Sequence, residues 1–105
     1  MAQFDAYPNP NVAQRQAFPY LVVLQSDQLD HYVTRLVMPL ARLPRRPATA
    51  PRRLSQSLQV EGELLYLAAH LCAPLPATVL REPAVSLREH ASAFVDALDA
   101  VLSGV

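Results

Sequence analysis

Ten prolines against two glycines punctuate this 105-residue chain, and they decide what it can become. Each proline fixes its own φ, lacks a backbone donor and restricts the residue before it. Regular structure is therefore confined to short runs between them. Tyr20-Leu-Val-Val-Leu24, bounded by Pro19 and the polar Gln25-Ser26-Asp27, is a continuous β-prone run and predicts a buried strand. Gln3 to Tyr7 alternates Phe4 and Ala6 against Gln3, Asp5 and Tyr7, which suits a first strand. Pro8-Asn9-Pro10-Asn11 must leave that strand, so the stretch to Phe18 reads as an exposed loop. Thr34 to Leu40 predicts another strand, with Arg35 and Val37 opposite Leu36 and Met38, and Pro39 at its end or on an edge.

Arg42 to Arg53 holds three prolines and five arginines in twelve residues, too broken for a helix or a central strand, and reads as a loop. Leu58–Val60 and Leu64–Leu67 predict a β-hairpin with Gly62 in its turn. Ala77–Leu80 reads as a last short strand after Pro74 and Pro76. The helical pattern is kept for the end, from Ser86 to Leu102. Ser86-Leu-Arg-Glu89 has the form of a capping box, in which hydroxyl and carboxylate satisfy each other's backbone amides. Leu87, Ala91, Phe94, Leu98 and Val101 make one apolar face, widened by Val95 and Leu102, and Gly104 stands where a left-handed terminator is expected. Short strands followed by one helix predict a single α+β domain over residues 1–105. Its simplest form is a small antiparallel β-sheet or SH3-like open barrel with a C-terminal α-helix on it.

Composition excludes several classes. A chain that is 51% hydrophobic and 17% charged has the makings of a core, and zero net charge gives no general pull toward nucleic acid or an anionic membrane. The single cysteine, Cys72, rules out an internal disulfide and fits a reducing, cytoplasmic setting. Residues 1–7 lack the basic and apolar regions of a signal peptide, and no apolar run approaches the ~20 residues of a membrane span.

The residues that carry chemistry are sparse. His31, His70 and His90 show no metal-ligand spacing, so no metal and no cofactor are expected. His70 and Cys72 lie two apart and would face one way on a strand, as a nucleophile and its base would; a cysteine packed as a small hydrophobe is the commoner case. Asp27, Asp30 and His31 cluster in a turn, where polar residues are commoner than catalytic ones. Arg45, Arg46, Arg52 and Arg53 suit a solvated loop or an acidic protein partner, since no aromatic residue stands nearby to stack bases.

Certain stretches, taken in order, resemble the CcdB family of bacterial toxins. They are Gln3-Phe4 with Tyr7, Val22 with Gln25-Ser26-Asp27 and Asp30, and Arg35 and Val37 with Pro39-Leu40-Ala41. Gly62-Glu63, Pro76, Leu87 and Gly104 follow at corresponding places. The resemblance implies a CcdB/MazF-like fold, a homodimer and a cytoplasmic toxin of a type II toxin–antitoxin system. It further implies a poison of DNA gyrase that inserts into the gyrase A dimer and traps it on cleaved DNA, with no catalysis of its own. The partners it implies are gyrase A, the DNA-cleaving component of DNA gyrase, and a cognate CcdA-like antitoxin. Neither sequence-specific nucleic-acid binding nor a membrane role is implied. The implied gyrase contacts are Ser103, Gly104 and Val105 at the tip, Asp99 one turn earlier, and Gln28 and Leu29 in the loop after Gln25-Ser26-Asp27. The antitoxin is expected on Arg45, Arg46, Arg52 and Arg53.

One departure falls at that tip. The family ends in Trp-Gly-Ile, whereas this chain has Ser103-Gly104-Val105 and no tryptophan anywhere. A large aromatic anchor contributes ~2 kcal/mol or more at an interface, which is ~30-fold in affinity. Two alternatives therefore stand beside the gyrase poison. One is a MazF/Kid-like messenger-RNA endoribonuclease built on Asp30, His31 and Arg35. The other is a non-toxic homologue that only binds its antitoxin.

Overall fold

A computed structural model describes residues 2–42 and 56–103. Among these residues are seven strands: β1 (Asp5–Pro8), β2 (Tyr20–Val23), β3 (Thr34–Ala41), β4 (Ser57–Val60), β5 (Glu63–Leu67), β6 (Ala73–Pro76) and β7 (Val85–Ser86). One helix, α1 (Ala91–Ser103), follows them. The strands form one antiparallel sheet in the order β4-β5-β3-β2-β1-β7, with β6 also on β3. This is the α+β architecture of a barrel-like sheet carrying a C-terminal helix.

The eight-residue β3 organises the sheet. Along one edge its residues Val37–Leu40 pair with β2; along the other, Thr34–Val37 pair with β6 and Leu40–Ala41 with β5. Pro39 is thus internal to β3, not at its end. Its carbonyl accepts from the Ala68 amide at 3.0 Å, so its missing N–H falls on the same edge, at the gap between β6 and β5 where no ladder donor is needed.

Alternate residues of the central strands enter two cores. Ala6, Val22, Met38 and Leu40 face the helix with Phe4, Leu65 and Phe94, while Tyr7, Leu21, Val23 and Val37 pack with Leu80 on the opposite face. Burial on both faces explains why Leu21-Val-Val23 is continuously apolar. On α1 the buried stripe is Phe94, Ala97 and Ala100, and the two small alanines let the helix sit close. Phe94 stacks on Phe4 with ring centroids 5.7 Å apart. Val95 and Leu102, expected to widen the buried face, are 51% and 77% exposed.

The hairpin forms as expected. Glu61 and Gly62 have φ of 51° and 81°, and Val60 pairs with Glu63 across this two-residue, type I′-like turn. Arg42 ties it to the loop after β1: its guanidinium meets both Glu63 carboxylate oxygens, at 2.6 and 3.4 Å, and donates to the Arg15 and Gln16 carbonyls. Residues 10–16 of that loop are exposed, 17–19 are half-buried, and Asn9 is buried and donates from Nδ2 to the Phe18 carbonyl at 2.9 Å.

Three local expectations give way to longer-range pairing. Ala77–Val79 is a 3₁₀ turn, and the strand lies just before it, at Ala73–Pro76. In the β3–β6 register Pro74 and Pro76 occupy positions whose backbone nitrogens point away from β3, so two prolines fit an edge strand without losing a bond. The first strand starts at Asp5 rather than Gln3, because Phe4 takes φ 68°. The helix starts at Ala91, not near Ser86: Ser86 pairs with Asp5, and the Leu87 amide donates to the Phe4 carbonyl at 2.8 Å. Ser86 Oγ accepts from the Arg88 amide at 3.4 Å in place of the expected capping box, and a 3₁₀ turn, Arg88–His90, leads into α1.

Candidate functional site

The loop from Gln25 to Val33 leaves β2 and returns into β3, and its polar residues brace it from several sides. Ser26 Oγ accepts from the Gln28 amide at 3.2 Å, capping the 3₁₀ turn Asp27–Leu29. Asp27 accepts from the Gln3 amide at 2.7 Å and pairs with the Arg88 guanidinium at 3.4 Å. Gln3 Nε2 donates to the Leu24 carbonyl at 2.9 Å. Gln25 spans the mouth of the loop, accepting from the Leu36 amide at 3.1 Å and donating to the Leu29 and Thr34 carbonyls, both at 3.2 Å. The outcome is a presented surface. Gln28 is exposed and Leu29 is 38% exposed, with Tyr32 at 52% and Val33 at 82% beside them. Tyr32 and Val33 were not among the expected contacts; an apolar pair inside a loop that otherwise reads as polar was the available signal.

At the far end of α1, Asp99 and Ser103 are both exposed and stand on one face, with Ser103 Oγ donating to the Asp99 carbonyl at 2.8 Å. Gly104 and Val105 lie outside the described residues, as do Arg45, Arg46, Arg52 and Arg53. A cleft of about 70 Å³ runs between the root of the loop and the helix, lined by Gln3, Phe4, Leu24, Phe94, Val95 and Leu98. Val95, Leu98 and Leu102 share one side of α1, half-buried to exposed, where an apolar stripe meets solvent.

The residues considered for catalysis are placed otherwise. Asp30 and Arg35 do meet, at 3.1 Å, but the Arg35 side chain is buried and its guanidinium is committed to backbone carbonyls, so it offers no phosphate contact. His31 sets its ring edge-on to Tyr32 at 4.4 Å. His70 is exposed in a 3₁₀ turn, Ala69–Leu71, so the shared strand face imagined for His70 and Cys72 does not exist. Burial pushes the Cys72 thiol up to about 11, which leaves it a poor nucleophile. Burial also raises the Tyr7 phenol above its ordinary value, helped by the Asp5 and Asp30 carboxylates and opposed by Arg35. Among the described residues no group of three or more His, Cys, Asp or Glu side chains is placed to hold a metal. A groove of about 370 Å³ on the Val37 face is lined by apolar and amide side chains alone, so it has no group to move a proton. No helix among the described residues is long and apolar enough to cross a membrane.

Comparison with known proteins bears on nearly the whole chain. The family described as CcdB protein matches residues 3–104, which include the braced loop, both cores and all of α1. No curated protein matches the sequence.

Proposed function

Because the chain belongs to the CcdB family and so to the toxins of toxin–antitoxin modules, we propose that it acts in the cytoplasm as a poison of DNA gyrase. In this reading it traps the gyrase A–DNA cleavage complex and catalyses nothing itself. The family match over residues 3–104 carries the proposal. The surface supports it: Gln28 and Leu29 stand on a braced loop, and Asp99 and Ser103 stand exposed at the helix end that leads to Gly104 and Val105. These six residues form the proposed gyrase contact. The apolar side of α1 at Val95, Leu98 and Leu102 suits a twofold homodimer, since a 105-residue chain gains by covering such a stripe. Arg45, Arg46, Arg52 and Arg53 are the proposed seat of an acidic, CcdA-like antitoxin. The messenger-RNA endoribonuclease reading loses support because the Arg35 guanidinium is turned inward onto its own loop.

The test is direct. Purified protein is incubated with gyrase, supercoiled plasmid and ATP, and linear DNA is measured after detergent and protease. A parallel arm holds the protein with RNA alone. Linear DNA with intact RNA is the expected result; cleaved RNA with no linear DNA refutes it.

A further inference from the structure

The stretch from Asp27 to Val33 contains one 3₁₀ turn and otherwise no regular structure, yet it holds Gln28 and Leu29 in place. Beside the Gln25 brace on the Leu29 carbonyl and the Ala77 N to Val33 O bond at its end, its backbone bonds are three turn contacts: Leu29 N to Ser26 O, Asp30 N to Asp27 O and Tyr32 N to Leu29 O. Bonds of this kind open readily in a short surface loop. Arg35 supplies what they lack. It is the second residue of β3 and only 6% exposed, because its side chain turns back beneath the loop. Nη1 donates to the carbonyls of Tyr32 and Thr34, the latter at 2.9 Å. Nη2 donates to the Asp30 carbonyl and meets Asp30 Oδ1 at 3.1 Å. Two carbonyls of the loop and one at the start of β3 therefore converge on one cation.

With those carbonyls drawn inward, the peptide planes that follow residues 30, 32 and 34 are fixed, and Tyr32 and Val33 are left facing solvent. A guanidinium is a planar fork of five donors and serves acceptors spread around it; an ammonium is a point charge on a flexible stem and does not. The burial makes the arrangement cooperative. An arginine out of water is costly unless its donors are paired; Nη1 and Nη2 are paired and the buried Nε is not, so opening the loop strips Arg35 of all the partners it has at the same moment.

We infer that Arg35 is a positioning residue of the partner-contacting loop. It touches no partner and acts by fixing the backbone that directly follows Gln28 and Leu29. The identity of the partner rests on the gyrase reading above, while the effect on the loop does not.

Hydrogen exchange and gyrase trapping together test it. The turn Val12–Gln14 is an internal reference: it has the same kind of bonds, Gln14 N to Asn11 O and Arg15 N to Val12 O, and a side-chain cap from Asn11, and the guanidinium that reaches its end, from Arg42 to the Arg15 and Gln16 carbonyls, is part-exposed where that of Arg35 is buried. In the wild-type protein the Leu29, Asp30 and Tyr32 amides are expected to exchange at least ~10-fold more slowly, relative to their intrinsic rates, than those of Gln14 and Arg15. Arg35→Met keeps the apolar stem and removes the fork. It should abolish that advantage, leave the Val22 and Met38 amides unchanged, and raise the half-maximal concentration for gyrase trapping by ~10-fold or more. Arg35→Lys should restore the protection only in part.

Three results overturn the inference. They are a wild-type loop no better protected than the reference turn, an Arg35→Met loop that is unchanged, and a loosened loop with undiminished trapping. Should Arg35→Met fail to fold, the wild-type comparison still decides. Should the wild-type protein trap no gyrase, the functional reading fails, and exchange alone settles what Arg35 does.

Discussion

Residues 103–105 of this chain supply half of the proposed gyrase contact, and that makes them the place to test function. Ser103 is exposed, and its side chain bonds only locally, from Oγ to the Asp99 carbonyl four residues back. The residue before it, Leu102, is 77% exposed. Surface changes of this kind stay within about 0.5 kcal/mol. In a domain near this size that is a Tm shift of ~2–4 °C. Deleting Ser103-Gly104-Val105 should therefore leave Tm within ~4 °C of wild type and abolish gyrase cleavage. Ser103→Trp should work the other way. A desolvated aromatic anchor is worth ~2 kcal/mol at an interface, so the half-maximal concentration for cleavage should fall ~30-fold. The chain has no other tryptophan, so the variant's own fluorescence reports the contact: a solvated indole when free and a blue-shifted one with gyrase A. Undiminished cleavage by the truncated protein, or a Tm loss above ~10 °C, refutes the reasoning, the latter because it would mean that the tip packs on the body.

Phe94→Ala should cost ~3–5 kcal/mol of stability by chemical denaturation, because Phe94 is 1% exposed and stacked on Phe4. In a double-mutant cycle Phe4→Leu and Phe94→Leu should couple by ~0.5–1.5 kcal/mol; additive losses would mean the stack contributes nothing. At the hairpin, Gly62→Ala should cost ~1–2 kcal/mol although a Cβ there meets open space, since the penalty lies in φ 81° alone. Glu61→Asn should stabilise the same turn, because φ 51° suits asparagine better than glutamate; a lower melting point for this variant would refute the turn assignment. Cys72, pushed up to about 11, is only ~0.1% thiolate at pH 8, so alkylation should run ~200-fold slower than for an exposed cysteine, and a rate within ~10-fold of that reference would show the thiol to be accessible and ionised. Replacing Arg45, Arg46, Arg52 and Arg53 with glutamine should weaken antitoxin binding and flatten its salt dependence while gyrase trapping stays the same; unaltered antitoxin affinity would leave these residues as mere surface.

Where a segment's structure is set by its own residues, the sequence was a good guide. Gly62 between two apolar runs specified the hairpin, and the unbroken run at Leu21-Val-Val23 specified a strand covered on both faces. Expectations failed where a distant strand decides. Ser86-Leu-Arg-Glu89 is a sound local start signal, but pairing of Ser86 with Asp5 holds that residue in an extended ladder and delays the helix to Ala91. Pro74 and Pro76 read as breakers only until β3 lies beside them, when both nitrogens fall on the free edge. On α1 the spacing correctly marked Phe94 and missed that Ala97 and Ala100, not Val95 and Leu102, complete the buried stripe. Periodicity finds an apolar face and says nothing of how closely the sheet approaches it.

The site shows the same division at finer scale. Gln3, Gln25, Ser26, Asp27, Asp30 and Arg35 carry much of the family resemblance, and in space all six serve the loop between β2 and β3. Their side chains turn toward neighbouring backbone or toward one another. Gln28, Leu29, Tyr32 and Val33 lie between them and face outward. Sequence alone does not separate these two groups, since a buried arginine that caps three carbonyls is the same letter as one on the surface. The structure does separate them, and it gives the loop a division of labour. Under the proposed function, the braces set where a contact is offered, and the residues between them set what is offered. A change of target residue can then be met at Leu29 or Val33 without disturbing Arg35, whereas a change at Arg35 should alter every contact the loop makes.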